Sequence, residues 1–215
     1  MLTWLFDLDD TLHDASPHIF PHINRSMTAY LQTHLALEEE SANELRSHYW
    51  RRYGATLLGL MRHHQTDPIH FLEETHRMPD LDRMIVADRA ALAAVKRLPG
   101  RKILYSNAPA AYVGAVLSLL KLNRCFDAVY AIEHLRYLPK PSFSAFRQLL
   151  RAEKLNPQRT VMVDDTLANL HTAHRLGIRT IWVSEALQQP SYVDARINSL
   201  RNLRRLIGKL RLDHA

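Results

Sequence analysis

The sequence has little cysteine, little glycine and no long apolar run. Its 215 residues include one cysteine, Cys125, six glycines and ten prolines. A single cysteine forms no internal disulfide, and so little glycine and proline excludes a collagen-like or low-complexity chain. No apolar run approaches the roughly 20 residues of a membrane span, and the N-terminal residues show no signal-peptide pattern. We therefore expect a soluble, cytoplasmic protein without a membrane partner.

The composition is that of a globular protein. Hydrophobic residues make up 47% of the chain and charged residues 23%, which suits one domain or one domain with a smaller insertion. The formal net charge of +6 and the 13 histidines invite a nucleic-acid interpretation. Net charge alone concerns the attraction of anions and says nothing about fold. The positions of the charges along the chain must therefore decide whether the nucleic-acid interpretation holds.

Short apolar runs alternate with helical patterns over much of the chain. The apolar runs lie at 2–6, 102–105, 128–132, 160–163 and 179–183. The helical patterns between and around them lie at 87–98, 110–122, 143–153 and 167–176. This alternation predicts an α/β fold, a Rossmann-like parallel sheet with helices on both faces.

One long segment near the N-terminus breaks the alternation. Residues 14–86 have helical periodicity and no strand candidate, and the Ser-Pro and Asp-Pro pairs at 16–17 and 67–68 each predict the start of a helix. We predict an all-helical cap domain over 14–86. It would be inserted into a catalytic core formed by residues 1–13 and 87–215.

The C-terminal stretch 191–212 combines apolar and basic residues. Its apolar residues Leu200, Leu203, Ile207 and Leu210 recur at intervals of three and four. The pattern predicts an amphipathic helix that docks on the core and keeps a basic side in solvent. Contact of that basic side with a membrane or a nucleic acid is the alternative.

Polar residues stand where the predicted strands end. They are Asp7, Asp9 and Asp10 after the first strand, Ser106 and Asn107 after the second, Lys140 after the third, and Asp164 and Asp165 after the fourth. Ligands of parallel sheets bind outside the carboxyl ends of the strands. We therefore expect these side chains to meet at one edge of the sheet.

Carboxylates gathered at one edge repel one another. Two like charges about 4 Å apart cost roughly 4 kcal/mol at an effective dielectric constant of about 20. A hard divalent cation removes that conflict, and Mg²⁺ suits a site with few carboxylates because it keeps waters and phosphate oxygens as its other ligands. We predict a Mg²⁺ site at this edge, with Asp7 and the backbone carbonyl of Asp9 facing the metal.

The donors at the same edge suit a phosphoryl group. Ser106 and Asn107 can hydrogen-bond two of its oxygens, and Lys140 supplies a positive charge that can also pair with a nucleophile. An aspartate carboxylate is a competent nucleophile for phosphoryl transfer. Our hypothesis is that Asp7 is that nucleophile, while the side chain of Asp9 protonates the leaving oxygen and then takes a proton from water. The expected partner is a small-molecule phosphate ester.

Four segments together resemble the motifs of the haloacid dehalogenase superfamily. They are Asp7-Leu8-Asp9-Asp10-Thr11, Ser106-Asn107-Ala108, Lys140-Pro141 and Asp164-Asp165. The resemblance implies a Rossmann-like core with a mobile cap, the same roles for Asp7 and Asp9, and Asp165 as a Mg²⁺ ligand, with Asp164 a ligand or a partner of the ligands. We also place Leu8 among the phosphate-binding residues. In this superfamily a second aspartate is typical of phosphatases and mutases, whereas transport ATPases carry threonine there and dehalogenases lack that carboxylate.

Part of the predicted cap resembles the pyrimidine 5′-nucleotidase subgroup. The similar segments are 53–60, His63-His64 and 67–68, together with Ser106-Asn107-Ala108. The resemblance implies a nucleoside 5′-monophosphate as substrate, with pyrimidines preferred, and Tyr53 is our candidate to stack on the base. Hydrolysis of sugar phosphates or other small metabolites is the alternative, and a phosphomutase ranks below it.

Two further readings of the sequence are disfavoured. The cap histidines have no spacing that puts three on one face with a carboxylate, so we expect surface histidines rather than a metal cluster. A nucleic-acid-binding role on a borrowed core would predict damage to one of the four motifs, and none is damaged. The sequence leaves the oligomeric state open.

Overall fold

A computed structural model describes residues 1–209 of the chain. The strands within that range are β1 Thr3–Phe6, β2 Arg101–Tyr105, β3 Ala128–Tyr130, β4 Thr160–Asp164, β5 Arg179–Val183 and β6 Ala195–Ile197. They form one sheet in the order β3-β2-β1-β4-β5-β6, and every neighbouring pair is parallel. The predicted Rossmann-like parallel sheet is therefore confirmed.

Helices cover both faces of this sheet. The helices of the sheet region are α6 Arg89–Lys96, α7 Ala110–Leu119, α8 Phe143–Ala152, α9 Leu167–Arg175 and α10 Leu203–Lys209. Successive side chains of a strand point to opposite faces. Accordingly, Trp4 and Phe6 join one buried cluster with Val116 of α7, while Leu5 joins a second cluster with Phe146 of α8. The carboxyl edge of the sheet, where the predicted site lies, thus rests on a strand, β1, that is buried on both sides.

The segment between β1 and α6 is helical. Its helices are α1 Ile19–Leu35, α2 Glu39–Tyr53, α3 Thr56–His64, α4 Pro68–Thr75 and α5 Leu81–Met84. Gly59 lets α2 and α3 approach closely, because a Cβ at this position would lie 2.1 Å from the Tyr49 ring. The division of the chain into a core and a cap at residues 13/14 and 86/87 stays a prediction.

The two predicted helix starts of this segment have different outcomes. Asp67 does cap α4, since its Oδ1 accepts a hydrogen bond from the Ile69 N–H at 3.0 Å. The start at 16–17 is wrong. Helix α1 begins at Ile19, because the Ser16 hydroxyl donates to Asp10 instead of capping a helix.

The C-terminal stretch 191–212, in which the spacing of Leu200, Leu203 and Ile207 predicts a helix, begins with a strand that was not predicted. Strand β6 lies inside that range, a short 3-10 helix follows over residues 200–202, and α10 begins only at Leu203. Val193, Ala195 and Ile197 are buried at every second position, which is the period of a strand. Leu210 lies outside the described residues. Among the helices that are described, none is long and apolar enough to cross a membrane.

Candidate active site

Polar side chains from three neighbouring strands meet at the carboxyl edge of the sheet. Asp7 directly follows β1, and its N–H donates to the Val163 carbonyl of β4 at 3.0 Å. Ser106 directly follows β2 and is buried, and Asp164 is the last residue of β4 and is fully buried. The adjacency of β1 to both β2 and β4 brings these residues together.

Lys140 bridges two of the carboxylates. Its Nζ lies 2.7 Å from Asp7 Oδ1 and 2.9 Å from Asp164 Oδ2, and only 2% of the residue is exposed. Asn107 fixes the main chain there, because the Lys140 N–H donates to Asn107 Oδ1 at 2.7 Å and Asn107 Nδ2 donates to the Lys140 carbonyl at 3.1 Å. Asn107 thereby sets the position of the ammonium group.

The remaining predicted phosphate-binding residues lie close by in the chain. Ser106 Oγ accepts the Ala108 N–H at 3.0 Å, which leaves its hydroxyl proton available to donate. The Leu8 side chain is fully buried in the hydrophobic core, so only its main chain can face a ligand. The phosphate-binding roles of Leu8, Ser106 and Asn107 stay predictions.

Asp7, Asp164 and Asp165 form the acidic centre of the site. Each offers an oxygen within 4.8 Å of the others. Asp164 Oδ1 also accepts the Thr166 N–H at 2.8 Å and Asn169 Nδ2 at 3.0 Å. Because donors already occupy both of its oxygens, Asp164 is held in place independently of any ion.

The electrostatics of this centre favour a cation. Burial raises the pKa of Asp7 well above its usual value in spite of the neighbouring ammonium. Burial and the Asp164 charge raise the pKa of Asp165 to about 6. Burial opposes the charge of Lys140, but Asp164 and Asp7 raise the pKa of its ammonium above the usual value. Three carboxylates face one ammonium, so an excess negative charge remains. The three carboxylates also offer the oxygen ligands that Mg²⁺ prefers.

Asp9 and Asp10 stand apart from this centre. Asp9 Oδ1 lies 2.7 Å from the Tyr112 hydroxyl and 3.0 Å from His13 Nε2. Asp10 has a left-handed backbone, with φ of 54°, and its Oδ1 accepts the N–H groups of Ala15 and Ser16. The Asp10 carboxylate therefore shapes the turn after β1 and is not part of the acidic centre.

The sequence reasoning missed three residues of the site. Asn169 lies in the first turn of α9, five residues after Asp164, and a helix after a catalytic strand end could have suggested it. His13 follows Asp9 by four residues, a short spacing that could have drawn attention. Tyr112 is 103 residues from Asp9, and nothing in its surrounding sequence marks it.

Tyr53 lies beside the loop that carries Lys140. The residue after it, Gly54, ends α2 with φ of +81°, and a Cβ there would lie 3.9 Å from side-chain carbons of both Pro139 and Pro141. The Tyr53 hydroxyl is 2.7 Å from His63 Nε2, and the Arg62 guanidinium is 4.9 Å from the centre of the Tyr53 ring. Across residues 1–209, the acidic centre is the one group of three or more side chains arranged to hold a metal ion, and no histidine belongs to it.

The fold and the site define a class, an α/β protein with a lysine-bridged cluster of carboxylates at the carboxyl edge of its sheet. The model of one family, haloacid dehalogenase-like hydrolase, matches residues 1–177. The chain belongs to the haloacid dehalogenase-like hydrolases, which confirms the superfamily predicted from the four motifs.

Solved structures of several activities share the fold. A phosphatase of this superfamily from Thermococcus onnurineus is 19% identical, with a TM-score of 0.68, and the match covers 97% of this chain and 98% of the other. CbbY from Rhodobacter sphaeroides in complex with phosphate is 21% identical over 94% and 96%, with a TM-score of 0.63. L-2-haloacid dehalogenase from Xanthobacter autotrophicus is 14% identical over 97% and 99%, with a TM-score of 0.60. At these identities the likeness concerns the fold alone.

Proposed function

We propose that the protein is a Mg²⁺-dependent phosphomonoesterase that works through an aspartyl phosphate on Asp7. The observation that carries the proposal is the separation of two carboxylates in one turn. Asp7 lies in the acidic centre against Lys140, whereas Asp9 is bonded by the uncharged Tyr112 hydroxyl and by His13. A nucleophile and an acid–base group need such different surroundings, and a dehalogenase would need the nucleophile alone.

In the first step, an Asp7 oxygen attacks the phosphorus atom and the bond to the leaving oxygen breaks. Protonated Asp9 gives its proton to that oxygen, so an alcohol departs and Asp9 becomes a carboxylate. Lys140 holds the Asp7 carboxylate in place and partly offsets the negative charge of the phosphoryl group. Ser106 and Asn107 are the expected donors to phosphoryl oxygens.

In the second step, water attacks the phosphorus atom of the aspartyl phosphate. Asp9 takes the proton of that water, the Asp7 carboxylate is released, and inorganic phosphate leaves. The balance of protons is closed, since Asp9 ends the cycle protonated as it began. Asp7, Asp165 and the Asp9 carbonyl would hold a Mg²⁺ ion, with Asp164 as ligand or support, and the ion would offset the negative charge of the phosphoryl group.

For the substrate we propose nucleoside 5′-monophosphates, with pyrimidines preferred. The support is the half-buried Tyr53, which directly precedes Gly54 at the Lys140 loop, together with Arg62 against its ring. An aromatic ring in this part of the chain can stack on a base. Sugar phosphates and other small phosphate esters are the alternative and would use the same chemistry at Asp7.

We further propose a small molecule, not a nucleic acid, as the partner of the basic surface. Two of the C-terminal basic residues serve the fold, since Arg201 makes two hydrogen bonds to Asp88 and Arg196 donates to the Ser184 carbonyl. Elution from an anionic matrix well below physiological salt would support this view. Binding of single-stranded oligonucleotides would contradict it if the dependence of the binding constant on salt concentration corresponded to several phosphate contacts.

The experiment that tests the function is a phosphate-release screen over nucleotides and sugar phosphates, with and without Mg²⁺. We expect release that needs Mg²⁺, that is fastest for pyrimidine monophosphates, and that disappears in Asp7→Asn. Release of inorganic phosphate also distinguishes a phosphatase from a mutase. Phosphate release no faster than the background rate with every ester would contradict the proposal.

A further inference from the structure

Within the described part of the chain, the hydrogen bonds of the Asp9 carboxyl group all involve one oxygen, Oδ1. Its Oδ1 accepts the Tyr112 hydroxyl at 2.7 Å and lies 3.0 Å from His13 Nε2. Which of these two atoms donates depends on the imidazole tautomer, and the surroundings of the other ring nitrogen decide it. His13 Nδ1 is buried and has no partner among the described residues, which fits a ring whose one proton is on Nε2. Oδ1 therefore receives two donors.

Two donors on one oxygen decide where the carboxyl proton sits. An oxygen that already accepts from a hydroxyl and an imidazole N–H has no room for a proton of its own. The proton of a neutral Asp9 is thereby directed to Oδ2, and the same two bonds fix the side-chain rotation about the Cβ–Cγ bond. The geometry selects one oxygen for proton transfer and sets its direction.

Tyr112 is held in place by its surroundings. It stands in the first turn of α7, is 4% exposed and belongs to the large buried cluster on one face of the sheet. Its hydroxyl donates to Asp9 Oδ1, and a phenol, whose usual pKa is about 10, keeps its proton at neutral pH and stays a donor. Its ring also meets the imidazole of His76, edge to face with centres 6.1 Å apart. Tyr112 thus packs against both the sheet region and the helical segment that precedes α5.

We propose that Tyr112, assisted by His13, is a positioning residue that orients Asp9 so that Oδ2 delivers and recovers the transferred proton. The inference rests on the proposed function, because it assigns the geometry of the acid–base group in that reaction. In the first step the Oδ2–H bond breaks as the proton joins the leaving oxygen. In the second step a proton from the attacking water forms that bond again.

The test uses two aryl esters that differ in their need for an acid. Phenolate is a poor leaving group and gains from protonation, whereas p-nitrophenolate departs with little help. Tyr112→Phe keeps the ring against His76 and removes only the hydroxyl. Because kcat/KM covers the steps up to departure of the leaving group, we expect it to fall by about tenfold for phenyl phosphate and by less than about threefold for p-nitrophenyl phosphate.

The comparison contains its own controls. Both esters are measured on one preparation, so a loss of folded protein lowers both values by the same factor and leaves their ratio unchanged. Tyr130→Phe removes a similar bond, 2.5 Å long, to Glu153 at the edge strand β3, and it should leave the ratio as in the unmodified enzyme. Equal losses for the two esters in Tyr112→Phe, or no loss for either, would overturn the positioning role. Failure of the proposed function would look different, since the unmodified chain with Mg²⁺ would then release phosphate from neither ester.

Discussion

Lys140 Nζ and Asp7 Oδ1 lie 2.7 Å apart in a buried ion pair at the carboxyl edge of the sheet. The same ammonium bonds Asp164 Oδ2 at 2.9 Å, so a single positive charge joins the ends of β1 and β4. Removing one member of a buried pair typically costs about 3–5 kcal/mol, because the other charge is left without compensation. Lys140 therefore supports both the site and the sheet edge that carries it.

The first prediction concerns Lys140→Met, which keeps most of the length of the side chain and removes its charge. We expect the free energy of unfolding without metal to fall by about 3 kcal/mol, because two buried carboxylates then face each other. Phosphatase activity should fall by at least about a hundredfold. Thermal denaturation with and without Mg²⁺ checks the first effect. Mg²⁺ should recover part of the stability and little of the activity, and an undiminished melting temperature in EDTA would contradict the role given to the ammonium.

The second prediction separates activity from stability at Asp7. Burial raises the pKa of this carboxyl group well above its usual value, so the ionised form opposes folding when no cation is bound. Asp7→Asn removes that charge and leaves Lys140 paired with Asp164. We expect no phosphatase activity above trace and, in EDTA at neutral pH, a stability equal to the unmodified chain or about 1 kcal/mol higher. A clear loss of stability in chemical denaturation would show that the ionised Asp7 carboxylate does not destabilise the folded state.

The third prediction concerns pH and metal binding at Asp165. Burial and Asp164 raise its pKa to about 6, so a proton competes with Mg²⁺ for this carboxylate in acid. The Mg²⁺ affinity should therefore fall as the pH drops from about 7 to about 5. Asp165→Asn should bind Mg²⁺ at least about tenfold more weakly at neutral pH, with a shallower pH dependence. Isothermal titration calorimetry at several pH values measures both quantities. A Mg²⁺ affinity that does not change over this pH range would refute the competition.

The sheet and its edge could be predicted because the information is local. Asp7, Ser106 and Asp164 directly follow buried apolar runs, and parallel strands place such ends along one edge. Strand β6 was missed because it is three residues long and precedes Leu200 and Leu203, whose helical spacing dominated the interpretation. A two-residue period over so short a stretch is a weak signal beside a longer helical one.

The contacts that refine the site were beyond sequence reasoning for a different reason. The bond between Tyr112 and Asp9 depends on how α7 packs against β1, and sequence spacing carries no information about that packing. The double hydrogen bond of Asn107 with the Lys140 main chain likewise joins residues 33 positions apart. Residue types at strand ends predict which chemistry is available, whereas the orientation of each group follows from tertiary packing.

The fourth prediction concerns His76, which packs on Tyr112. Burial lowers the pKa of this imidazole to about 4, whereas an unfolded histidine titrates near 6.5. The unfolded chain therefore binds the proton first, so the stability that the neutral ring contributes is present above about 6.5 and is lost as the pH falls towards about 4. We expect a loss of about 3 kcal/mol over this window relative to His76→Phe, which cannot titrate.

Urea denaturation of both chains at several pH values isolates this effect, because other titrating groups are common to the two and cancel in the difference. His63→Gln changes an exposed histidine of α3 and should follow the unmodified chain at every pH. Parallel stability curves for the unmodified chain and His76→Phe would show that the ring is protonated equally in the folded and unfolded states.

The last prediction concerns substrate choice at Tyr53. If its ring stacks on the base, Tyr53→Ala should lower kcat/KM for pyrimidine monophosphates by about tenfold. A sugar phosphate has no base that could stack on Tyr53, so its kcat/KM should change by less than about threefold. Trp50→Ala is the matched control, because Trp50 lies on the same helix and is 62% exposed. A preference among nucleotides and sugar phosphates that is unchanged in Tyr53→Ala would remove Tyr53 from the specificity site while leaving the chemistry at Asp7 intact.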